Sequence, residues 1–134
     1  MNELKELALF HQRQALLYET LADGLSVPRS RAVLLGFAEE DRRGSALLRE
    51  ADYLQNGHMR LPQNAPVPDL PAIPCEELLK RCILEEATLA RRYAFLADGC
   101  TDAYLRALFV RLAQTARARV ARLPVLIADL PASE

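Results

Sequence analysis

The chain nearly repeats itself. A shift of 75 residues lays Leu4, Lys5, Leu9, Ala15, Tyr18, Leu21, Ala22, Asp23 and Gly24 on identical residues at 79, 80, 84, 90, 93, 96, 97, 98 and 99. Such self-similarity means that one supersecondary unit occurs twice, which constrains the fold more than any single residue does. In the first copy Leu4, Ala8, His11, Ala15, Tyr18, Ala22 and Leu25 alternate steps of four and three, the spacing of one face of an α-helix. In the second, Leu79, Ile83, Glu86, Ala90, Tyr93, Ala97 and Cys100 repeat the pattern. An Asp-Gly pair closes each, with Gly24 and Gly99 expected to take the left-handed position after a helix.

Each of these helices is followed by another. One begins between Ser26 and Ser30, carries Leu34, Phe37, Asp41, Gly44, Leu48 and Ala51 along its inner stripe, and stops near Asn56-Gly57. The last is introduced by Thr101-Asp102, whose side-chain oxygens suit an N-cap. Its stripe is Leu105, Phe109, Leu112, Ala116, Arg119, Leu123 and Leu126, and Pro124 is expected to bend or end it. The predicted helices therefore span about 2–24, 29–55, 75–98 and 102–128. Five of the eight prolines fall between Pro62 and Pro74, so the stretch 57–74 is a connector and not helix interior. Composition agrees: Leu and Ala make 46 residues against 13 for Val, Ile and Thr, which favours helix over strand. The expected class is all-α, with 134 residues forming one domain. Two hairpins joined by one long proline-rich crossover match the ferritin-like four-helix bundle, because an up-down-up-down bundle needs no such connection.

Charge excludes several functions. Seventeen basic residues against eighteen acidic ones leave a formal charge of -1, so no global field draws in nucleic acid or an anionic membrane. Residues 1–10 mix Glu and Lys into the apolar positions, unlike a signal peptide, and no stretch approaches a membrane span. A cytoplasmic location is the resulting expectation. The three cysteines have no zinc-like spacing. Cys75 and Cys82 share a helical face and Cys100 lies near a helix end, so they are read first as small hydrophobes, with a redox role as the lesser alternative. No Ser or Cys shares a face with a His, which leaves nucleophilic catalysis unsupported.

The inner stripes should be apolar, so their polar exceptions are the candidate site. These are His11, Asp41, Glu86 and Arg119, one from each helix. Tyr18 and Tyr93 follow His11 and Glu86 by seven residues. Gly44 leaves a gap one turn beyond Asp41.

At these residues the chain resembles the rubrerythrin-type ferritin-like proteins. The segments HQRQALLYETLA (11–22) and EEATLARRYAFLA (85–97) are similar to that family's first and third helices, where a ligand Glu precedes a Tyr by seven residues and an LA pair follows. FAEEDRRGSALL (37–48) and LFVRLAQTARARV (108–120) are similar to its second and fourth, where an LAxxExxH-like pattern supplies a Glu and a His. The resemblance covers nearly the whole chain outside the connector. It implies a ferritin-like bundle that pairs into a homodimer through helix faces, with an unidentified protein partner as a further possibility. It also implies six di-iron or di-manganese ligand positions: here they hold His11, Asp41, Gly44, Glu86, Ala116 and Arg119. Only Glu86 keeps the family residue. Sliding the motif to Glu39 or Glu40 places Arg42 or Arg43 at the His position and does not restore it. The chain also has no CxxC pair for an iron-sulfur-type centre.

Two expectations follow. In the first, the bundle has lost its metal site, takes no cofactor, is not an enzyme and serves as a structural or interaction protein. Arg119 then compensates the core carboxylates, forming a bidentate pair with Asp41 or Glu86, while the tyrosine hydroxyls supply further hydrogen bonds. In the alternative, His11, Asp41 and Glu86 hold iron or manganese, with water completing the shell, in an altered oxidoreductase or metal-handling protein. Arg119 opposes the alternative, since a guanidinium is a fixed positive charge where a cation would sit.

Overall fold

The computed structural model describes residues 2–57 and 73–130, and among these the chain is all-helical. The helices are α1 (Asn2–Asp23), α2 (Pro28–Asn56), α3 (Cys75–Asp98) and α4 (Ala103–Ala128). The proline-rich crossover, with His58 and Met59 at its start, falls almost wholly outside the described residues. The chain divides into two compact units, Met1–Pro71 and Ala72–Glu134. Each is a helical hairpin: α1 packs on α2, and α3 packs on α4.

In the first hairpin Leu4, Ala8, Ala15, Tyr18 and Ala22 of α1 are fully buried, as are Leu34 and Leu48 of α2. Removing each such leucine from water contributes about 1.5 to 3 kcal/mol. The turn between the helices is short. Gly24 ends α1 without adopting a positive φ; its N–H instead bonds the Leu21 carbonyl at 3.1 Å, and the Leu25 N–H bonds that of Ala22. These tight i to i−3 bonds satisfy the terminal carbonyls, so the expected left-handed cap is not formed there. Pro28 then opens α2, where its missing N–H costs nothing. The left-handed glycine comes at the other end, where Gly57 has φ 71° and donates its N–H to the Tyr53 carbonyl at 2.9 Å.

The second hairpin follows the same plan. Leu79, Cys82, Tyr93 and Leu123 are fully buried, and Phe109 nearly so. Gly99 takes a right-handed conformation, φ −89° and ψ 0°, and so also departs from the expected cap. Asp102 starts α4: its carboxylate accepts from the Leu105 N–H at 2.9 Å, filling one of the helix's unpaired donors. α4 does not end at Pro124 but runs on to Ala128. Buried Leu123 and Leu126 flank the proline, and their packing outweighs the one hydrogen bond it removes. No helix among the described residues is long and apolar enough to cross a membrane.

Candidate functional site

The repeat predicts equivalent positions for the polar residues, and in each hairpin a buried polar pair links the two helices. In the first, His11 Nδ1 of α1 lies 2.8 Å from Asp41 Oδ1 of α2. The His11 side chain is 6% exposed and that of Asp41 1%. An Nδ1–H donated to the carboxylate fixes the ring's orientation and tautomer. His11 also makes an edge contact with the neighbouring Phe10 ring. In the second, Arg119 Nη1 of α4 donates to Glu86 Oε2 of α3 at 3.1 Å. These side chains are 3% and 1% exposed.

The two pairs are not related by the repeat in a simple way. A 75-residue shift takes His11 to Glu86, so the α1 and α3 members correspond. The same shift takes Asp41 to Ala116 and Gly44 to Arg119, so the partner sits one turn later in α4 than in α2. Polarity is also reversed. The first hairpin carries its anion on the second helix, and the second hairpin on the first.

Tyr18 and Tyr93, equivalent under the shift, are both fully buried. Tyr18 meets the Phe37 ring edge-on at a centroid distance of 5.4 Å. Tyr93 stacks on Phe109 at 5.9 Å, with the ring planes 28° apart. Each aromatic pair ties the two helices of its own hairpin, about one to three turns from the buried polar pair.

Within the second hairpin Arg119 meets Glu86 through an Nη1 to Oε2 hydrogen bond, and within the first Asp41 meets His11. Among the described residues no three His, Cys, Asp or Glu side chains are grouped so as to hold a metal ion. The donors suited to iron or manganese are each turned to another partner, Glu86 to a guanidinium and His11 to a carboxylate. Cys82 is buried, and Cys75 and Cys100 are half-buried.

Several buried polar residues lie off the predicted stripes. Gln14, Ser45 and Asp52 are all at least 96% buried. Asp52 accepts a hydrogen bond from Asn56 Nδ2 at 2.8 Å. Spacing carries a signal for those on α2: Leu34, Ala38, Asp41, Ser45, Leu48 and Asp52 alternate steps of four and three just as the predicted stripe does. The buried face of α2 is two rows wide. Arg42, one of a run of charged residues on α2, reaches across to α1, where Nη1 and Nη2 donate to Glu19 Oε2 and Oε1 at 2.5 and 2.8 Å. Those hydrogen bonds raise the Arg42 pKa above its ordinary value; burial opposes the shift, and the charges of Glu19 and Asp41 reinforce it. Glu85, beside the buried Glu86, has its pKa raised by desolvation, with Arg81 pulling it back.

Comparison of the chain with protein-family models, with curated proteins and with solved structures finds no match in any of the three.

Proposed function

We propose that the two hairpins join through the proline-rich crossover into one ferritin-like, rubrerythrin-like bundle that works without a metal centre. It serves as a structural or interaction protein in the cytoplasm and pairs with a second copy of itself. The observation that carries this proposal is the Arg119 guanidinium 3.1 Å from the Glu86 carboxylate, both buried.

The physical reasoning runs from charge. Glu86 is the one ligand position at which this chain keeps the residue that the resemblance implies. A buried carboxylate needs a counter-charge or it must take up a proton. In a di-metal bundle the ions supply that positive charge; here a guanidinium supplies it, permanently and from the protein itself. In the first hairpin the His11 ring, 2.8 Å from Asp41, supplies a hydrogen bond to that buried carboxylate. The polar core then specifies how helices pair instead of activating a substrate, a use that buried ion pairs serve in some folds.

Thermal melting with and without a chelator tests the proposal. A metal-dependent bundle loses stability when its ions are removed. Here the melting temperature is expected to stay within about 1 °C, while Arg119→Ala lowers it by many degrees. The alternative, an altered iron or manganese site on His11, Asp41 and Glu86, requires the reverse: a chelator-induced fall of several degrees.

A further inference from the structure

One face of α3 carries the two most exposed large apolar side chains among the described residues, Phe95 at 76% and Leu84 at 69%. They are eleven residues apart, which on an α-helix is about 16 Å along the axis and a rotation of only about 20° from a whole number of turns. Both therefore lie on one stripe, which reads Glu77, Arg81, Leu84, Thr88, Arg91, Phe95, each of them exposed. The steps alternate four and three without a break, the pattern of a helix-pairing seam. Within it Leu84 and Phe95 bracket the polar Thr88 and Arg91, an arrangement that two antiparallel copies of the stripe can match to each other.

Resting on the self-pairing proposed above, we propose that the two copies meet through α3, antiparallel, with Leu84 of each against Phe95 of the other. A two-fold axis makes both contacts at once, since whatever residue i does to residue j the symmetry returns. The apolar match fixes the register, and the charges then fall into place without further choice. Arg81 stands three residues before Leu84 and Asp98 three after Phe95, so Arg81 faces Asp98 of the second copy. Glu85 and Arg92 occupy the same flank of the seam in antiparallel helices, and Glu85 comes beside Arg92 of the second copy. Both pairings occur twice. Thr88 and Arg91, already 3.4 Å apart from hydroxyl to guanidinium within one chain, form the polar centre. A parallel arrangement fails on the same residues, because it sets Arg81 on Arg81 and Arg91 on Arg91. Centring an antiparallel pair on Leu84 instead sets Phe95 opposite Ile73, beyond the N-terminal end of α3.

The pairing uses exposed residues only and none of the buried polar groups, so its failure and that of the metal-free bundle are separable. Sedimentation velocity across a concentration series, with circular dichroism on every variant, tests it. The wild-type chain is expected at twice its 15.0 kDa mass. Leu84→Glu and Phe95→Glu are expected at the single-chain mass with unchanged helicity, because neither side chain supports its own hairpin. Arg81→Glu should raise the dissociation constant roughly tenfold or more, and Arg81→Glu with Asp98→Arg should return it to within about threefold of wild type. Only the Leu84 to Phe95 register gives that rescue. A wild-type chain that stays at 15.0 kDa throughout, a dimer indifferent to Leu84→Glu, or a double variant no better than the single one would overturn the proposal.

Discussion

The two hairpins share nine identical residues at equivalent places along their first helices and the glycines that follow, yet they partner their buried carboxylates by different means. In α1 and α2 the anion is Asp41 and its partner an imidazole; in α3 and α4 the anion is Glu86 and its partner a guanidinium. A guanidinium carries a permanent charge, whereas an imidazole exists in neutral and charged forms. The repeat therefore preserves a requirement, one polar pair tying two helices, and not a set of residues. Side-chain reach accompanies the offset: the long Arg119 pairs from one turn further along α4, at the position equivalent to Gly44, while the short Asp41 stands where α4 has Ala116.

The sharpest way to break this comparison is to remove the permanent charge. Arg119→Ala strands Glu86 in the core and should cost about 3 to 5 kcal/mol in urea unfolding. Replacing both members with leucine should recover most of that loss, since a buried ion pair is often no better than apolar packing of similar volume. If the double variant is as unstable as the single one, packing and not charge is what Arg119 provides.

The corresponding change in the first hairpin should be milder. His11→Ala or Asp41→Ala is expected to cost about 1 to 3 kcal/mol, the range for leaving one member of a buried hydrogen bond without its partner. A double-mutant cycle on each pair checks this, with the larger coupling expected for Glu86 and Arg119. Equal couplings would mean that the two hairpins do not differ in the way described.

Surface pairs set the lower end of the scale. Arg42 and Glu19 have good two-point geometry, but their side chains are 49% and 38% exposed. Solvent screening limits the pair to about 1 kcal/mol or less, and Glu19→Gln should show no more than that in the same unfolding assay. Glu85→Gln should matter least. A carboxyl whose pKa is raised on folding favours the native state below its unfolded pKa and loses that contribution as pH rises through the folded one. Removing the charge should therefore flatten a small fall in stability above the acid range, with an effect at pH 7 within about 0.5 kcal/mol because the side chain is exposed.

Much of the helical framework is legible in the amino-acid sequence. The four-three spacing marks the helices because a buried stripe must recur every turn, and Asp102 announces the start of α4 because its carboxylate has a donor to satisfy. The six polar core residues stand out as interruptions in those stripes, and all six are buried. Three features are not legible, each for a physical reason. Gly24 and Gly99 look like left-handed caps, but the turns that follow are short enough to close with right-handed geometry, and only three-dimensional context decides. Gln14, Ser45 and Asp52 lie off the predicted stripes because a single stripe underestimates a buried face two rows wide. Partner choice is hidden too: spacing places Asp41, Glu86 and Arg119 on inner faces, but only the rotation and axial offset of packed helices decide which carboxylate the guanidinium meets.

The central claim is that protein charge stands where metal charge would otherwise be needed, and the metal content of the purified chain tests it most directly. Protein prepared without added chelator and dialysed should contain less than about a tenth of an equivalent of iron or manganese, because Glu86 is engaged by a guanidinium and Asp41 by an imidazole. Near-stoichiometric iron or manganese surviving dialysis would contradict it.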